Sequence, residues 1–167
     1  MRFQGHLIGG AVAGVVIVGI AAKSGIVEIG TLPQRNVSTA ITLFLLTLIM
    51  SLFPDLDTAS VPQRWFFRSA FGLLVVLFIF KQMDTFAIVT FVLLLPLLHH
   101  HRGWTHHKLT PFVISILIIA ITIYLRFPLA RIQEFSLDQG LALLHDYWII
   151  ILACVVGHYT HLLLDAR

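Results

Sequence analysis

"FVLLLPLLHHHRGWTHHKLTPFVISILIIAITIYL", residues 91–125, places a histidine-rich insert at 99–107 between two apolar runs. Five of the chain's nine histidines fall in that insert, together with Arg102. Apolar runs of this kind on both sides read as helices buried in hydrocarbon. The insert must then lie where the chain leaves the apolar phase, because imidazole and guanidinium groups are costly inside it. "LTP" at 109–111 starts the second run cleanly, with Thr110 as N-cap and Pro111 at the first helical position.

The rest of the chain repeats this pattern. Of its 167 residues 58% are hydrophobic and 11% charged, against about 25% charged in soluble domains. Polar side chains are too few to coat a water-facing surface. We therefore expect an all-α, polytopic helical membrane protein, one integral membrane domain over 1–167. The eleven Lys and Arg residues give a net charge of +3 but are scattered at the ends of apolar runs. That pattern lacks a basic stripe and argues against nucleic acid as a partner; membrane lipids are the expected surroundings. Cys154 is the only cysteine, so an intrachain disulfide is excluded. Arg2 followed by apolar residues imitates a signal peptide, yet "GHLIGGAVAGVVIVGIAAKSG" opens on a histidine and is read as the first span.

Hydrophobic runs and breakers predict six segments, at 6–22, 38–53, 67–80, 85–98, 110–127 and 145–165, some of them short or partial. A short amphipathic helix is expected in the polar stretch "QEFSLDQG", 133–140. Gly5 and Gly9, then Gly10 and Gly14, recur at four-residue spacing, which we read as ordinary close packing of helices. Six crossings place His6, "FPDLD" (53–57), the 99–107 insert and "GHYTHLLLDAR" (157–167) on one side of the membrane, with His145 on the other. Arg2, Arg64, Arg68, Arg102, Lys108 and Arg167 fall on the histidine side; Lys23, Arg35, Lys81, Arg126 and Arg131 fall opposite. The excess of one cation puts the histidine face in the cytoplasm.

These clusters have the chemistry of cation ligands. Asp55 and Asp57 just past an apolar segment need pairing, water or a cation. His101 and His106 flank Gly103, and neutral imidazole is a favoured ligand of zinc and other first-row metals. His158, His161 and Asp165 lie at offsets of three and seven, within about 60° of one another on one helix stripe. His6 stands at the mouth of the first segment, whereas His99, His100 and His107 are read as bystanders. A mixed His and Asp set of this size suits one or two divalent ions, zinc first, with manganese or iron as alternatives. No H-E-x-x-H, G-x-S-x-G or phosphate-cradling glycine loop is present, which argues against those hydrolase designs and against nucleotide-driven chemistry.

At "GHLIGG", "LFPDLD", "HRGWTHH" and "GHYTHLLLD" the chain resembles the YdjM-like family of membrane-bound, predicted metal-dependent hydrolases. "HRGWTH" is the most specific of these pieces, and together they span nearly the whole chain in the expected order. The resemblance marks His6, Asp55, Asp57, His101, Arg102, Thr105, His106, His161 and Asp165. It departs at Thr58, where relatives often carry a histidine after the second aspartate; His158 is a candidate to compensate. The implied function is hydrolysis of a phosphoester or related ester of a lipid or lipid-linked substrate by metal-activated water. His6, Asp55, Asp57, His101, His106, His161 and Asp165 would hold metal, and His158 would act as ligand or general base. Arg102 would hold negative substrate oxygens, with Thr105 beside it and Trp104 resting at headgroup level. The alternative is a metal-binding transporter or sensor without hydrolytic activity, which would stagger its ligands through the membrane depth.

Overall fold

The computed structural model describes residues 3–27, 34–57, 60–95, 104–126 and 137–166. These are helical, with no strand among the described residues. The helices are α1 (Phe3–Lys23), α2 (Gln34–Leu52), α3 (Val61–Ile79), α4 (Met83–Leu94), α5 (Thr110–Arg126), α6 (Leu137–Asp146) and α7 (Trp148–Asp165). Two short 3-10 turns, Phe53–Asp57 and Trp104–His106, carry parts of the acid and histidine motifs. Each apolar segment expected from the sequence contains a described helix, and α6 begins within the stretch 133–140 where a short helix is expected, residues 133–136 lying outside those described.

Among the described residues three stretches are long and apolar enough to cross a membrane: Phe3–Lys23, Val37–Leu56 and Trp148–Asp165. Met83–Leu94 and Thr110–Thr122 are apolar but shorter. The twelve residues of α4 reach roughly 18 Å at 1.5 Å per residue, against a hydrocarbon core of about 30 Å.

The chain divides into two compact units, one of Met1–Leu52 with Lys108–Arg167, the other of Phe53–His107. In the first unit α1, α2 and α7 pack mutually, and α5 packs on α7. Ile17, Ala21, Val27, Leu43, Ile149 and Ala153 form its apolar core. The end of α1 shows how the sequence shapes this core. Gly25 takes the left-handed conformation (φ 72°), which lets Ile26 N–H return to the Ala21 carbonyl at 2.9 Å and turns Val27 inward.

Glycines set the spacing of the three long helices. A Cβ on Gly10 would collide with the Ser51 side chain of α2, and one on Gly14 would come within 2.8 Å of the Phe44 ring. Gly9 faces α7 instead, where a Cβ would meet Leu164 at 2.7 Å. Adjacent glycines of α1 thus serve two different neighbours. Gly157 of α7 lies against the backbone carbonyl of Thr47, a contact that no side chain could share.

In the second unit α3 and α4 form a helical hairpin, and the first 3-10 turn packs on α3 and on the second turn. Ser60 caps α3: its hydroxyl accepts from Gln63 N–H at 3.2 Å and donates to the Asp55 carbonyl at 2.8 Å. The Gln63 amide donates to the Leu56 carbonyl at 3.1 Å, so the acid turn is tied to the helix that follows it. At the far end Gln82 N–H reaches the Leu77 carbonyl at 2.9 Å, with Lys81 at φ 56° in the position that usually takes glycine.

Gly157→Ala should force α2 from α7 and lower stability by about 1–3 kcal/mol, the ordinary range for overpacking. Gly19→Ala, with nothing within 4 Å of the added carbon, should be neutral or stabilise by up to ~1 kcal/mol. Thermal unfolding of both variants in detergent checks the pair, and equal behaviour would contradict the packing described.

Candidate metal centre

Three helix ends of the first unit build the site. His6 sits in the first turn of α1 with 2% of its surface exposed. Ser51 is the penultimate residue of α2, and His161 and Asp165 occupy the last turn and a half of α7. Because α1 enters where α2 and α7 finish, side chains far apart in sequence meet at one end of the group.

The Asp165 carboxylate lies between two imidazoles. Its Oδ1 is 3.0 Å from His6 Nε2 and its Oδ2 is 3.3 Å from His161 Nε2. The two rings stack, with centroids 4.0 Å apart and planes inclined by 18°. Both rings are buried, whereas Asp165 retains 36% exposure, so the site opens toward the helix ends.

Ser51 settles the protonation of His161. The ring's Nδ1 lies 2.8 Å from the Ser51 backbone carbonyl, and a carbonyl only accepts, so Nδ1–H donates. In the neutral ring Nε2 then carries a lone pair, and that lone pair faces a carboxylate oxygen at 3.3 Å. Two electron-rich atoms at that distance repel unless a proton or a metal cation lies between them. A singly protonated His161 beside a neutral His6 that donates Nε2–H to Asp165 satisfies both contacts, and so does one metal cation shared by both imidazoles and the carboxylate.

The donor set also fits a metal in kind and spacing. One ligand atom from each of His6, His161 and Asp165 can be chosen so that all lie within 4.8 Å of one another. Zinc ligands at about 2.0–2.2 Å in a tetrahedron stand roughly 3.3–3.6 Å apart, so the observed 3.0 and 3.3 Å require only small adjustments. His161 has the outer-sphere partner typical of a ligating histidine in the Ser51 carbonyl. His6 Nδ1 has no hydrogen-bond partner among the described residues. The Ser51 hydroxyl lies 3.2 Å from the His6 carbonyl and 2.9 Å from that of Leu48, which joins α2 to the turn bearing His6.

The other expected site residues fall as follows. His158 is fully buried on the same stripe of α7 and is not among the converging ligand groups of the described residues. In the second unit Asp55 and His106 bring ligand atoms within 4.8 Å of each other, and both are partly buried. Thr105 is buried, with its hydroxyl 3.3 Å from His106 Nδ1. The Trp104 ring meets Phe53 edge-on at 5.8 Å, which pins the two 3-10 turns together. Asp57 closes the first turn, and its side chain lies outside those described. His101 and Arg102, with His99 and His100, also lie outside the described residues. His145 is 89% exposed beside Asp146, apart from the site.

Ser51 and Gly157 are the functional positions that motif reasoning passed over. The only sequence signal for Ser51 is a small polar residue just before "LFPDLD", and for Gly157 a glycine one residue before a histidine.

Zinc titration of the purified chain should show His6→Ala and His161→Ala each weakening binding by more than about 100-fold, beyond the loss usual for an outer-sphere partner. His145→Ala should leave it unchanged. Equal affinity in wild type and His161→Ala would remove the site.

No protein-family model, curated protein or solved structure matches this chain.

Proposed function

We propose that the chain is a multi-pass membrane enzyme of the YdjM-like kind, a metal-dependent hydrolase acting on a phosphoester or related ester of a lipid or lipid-linked substrate. In this reading all six apolar segments lie in the membrane and the site face is cytoplasmic. The observation that carries the proposal is the meeting of His6, His161 and Asp165, two imidazoles and one carboxylate from opposite ends of the chain. Three protein ligands leave a fourth position open, the usual arrangement of a catalytic zinc site as opposed to a closed structural one.

Bound there, a divalent cation, zinc first with manganese or iron as alternatives, would lower the pKa of a water ligand to near 7 and polarise an ester or phosphoryl oxygen. The chain's own residues do the rest. The Ser51 carbonyl fixes the His161 ring so that Nε2 faces the site. Asp165 supplies the negative charge that neutralises a cation among buried rings. Its partial exposure leaves an approach from the helix ends, the level at which a lipid's polar part sits. His158, fully buried on the same stripe of α7, would act as ligand or general base. Asp55 and His106 offer a second cation position in their own unit, to which Asp57 and His101 belong by sequence. Thr105 holds the His106 ring, and Arg102 has the fork geometry to bind substrate oxygens.

The test is metal analysis joined to a hydrolysis screen over phospholipids and soluble phosphoesters. Wild type should carry one or two ions per chain and release product in a chelator-sensitive manner. Asp165→Asn and His161→Ala should lose at least about 100-fold in rate, about 2.7 kcal/mol or more of transition-state stabilisation. Metal entry into sealed proteoliposomes without hydrolysis would favour a transporter, and absence of stoichiometric metal would end both readings.

A further inference from the structure

The second unit has a surface that the hydrolase reading leaves unused. Among the described residues α3 carries two guanidiniums, Arg64 and Arg68, four residues apart and both exposed. That spacing puts them on one helical stripe. No acidic residue occurs within Val61–Ile79, and the ion pairs of the described residues lie elsewhere, at His6–Asp165, His161–Asp165 and His145–Asp146. The same stripe continues through Phe71, Val75 and Phe78, which are 69%, 41% and 61% exposed. Trp65 stands beside the two arginines with 65% of its surface exposed.

We infer that this stripe binds one anionic phospholipid, its phosphate held by Arg64 and Arg68 and one acyl chain lying along Phe71, Val75 and Phe78. Three features match that occupant. Arginine presents a planar fork of donors to phosphate oxygens and is less strongly hydrated than lysine, so it suits a boundary position. Ten residues separate Arg68 from Phe78, roughly 15 Å along the helix, a length along which one acyl chain can lie. Trp65 supplies the aromatic group favoured at headgroup level. An exposed row of large apolar side chains is unstable against water, and the charged end of the row fits a lipid better than the bare hydrocarbon of a second helix. The site is independent of the metal centre and holds whether or not the chain hydrolyses anything.

The probes are phosphatidylglycerol and phosphatidylcholine, added in micelles to the purified full chain and followed by native mass spectrometry. Wild type should retain one phosphatidylglycerol in preference to phosphatidylcholine. Arg64→Gln and Arg68→Gln should each weaken that retention about fivefold and together about 30-fold, the sum expected for two arginines near an anionic surface. Phosphatidylcholine, whose phosphate charge is offset by its own choline cation, should lose less than phosphatidylglycerol in each variant. The selectivity of the wild type is a test that needs no variant: equal retention of the two lipids would overturn the proposal. So would undiminished phosphatidylglycerol binding in a folded double variant, or a lipid-free dimer that buries α3.

Discussion

A carboxylate held between two stacked imidazoles ties the first helix of this chain to its last. His6 and His161 approach Asp165 through their Nε2 atoms, one on each carboxylate oxygen. The Ser51 carbonyl removes the freedom of one ring to choose its tautomer. With Nδ1 committed to that carbonyl, the other nitrogen can only be an acceptor or hold a cation. Burying two imidazoles this way is costly unless their polar atoms are matched. The group therefore makes sense as a place where positive charge is expected, and Asp165, partly open to solvent, is where that charge can enter.

The meeting depends on backbones that come unusually close. Gly10 makes room for Ser51, and Gly157 makes room for the Thr47 carbonyl. Without those approaches α2 could not insert its Ser51 carbonyl beside His161 while its hydroxyl reaches the His6 turn. In an apolar solvent such contacts weigh heavily, because lipid offers no hydrophobic force to press helices together and close packing must do so. Structure and site chemistry thus rest on the same small residues. The second unit is organised differently, by short-range polar ties. Ser60 and Gln63 bind the acid turn to α3, and Phe53 with Trp104 joins the two 3-10 turns that carry Asp55 and His106.

Much of this was legible in the chain itself. The length of the apolar runs and the breakers between them give helices where helices are described, and "KSG" after the first run marks the Gly25 turn that ends α1. Offsets of three and seven place His158, His161 and Asp165 on one stripe of α7, since 3.6 residues per turn admits no other arrangement. The shortness of two runs was legible as well: 85–98 and 110–127 correspond to α4 (Met83–Leu94) and α5 (Thr110–Arg126), both below the ~20 residues of a full span.

Sequence alone determined the helical, apolar character of the protein and the residue types able to hold a cation, since both follow from composition and local period. Only tertiary structure decided which of those residues meet. It joined His6 to His161 and Asp165, set His158 outside that group, and brought in Ser51, whose side chain carries no metal-binding signal at all. The physical reason is that a ligand set is fixed by the approach of separate helices. That approach is governed by which glycine faces which neighbour, a property of packed pairs that no single segment encodes.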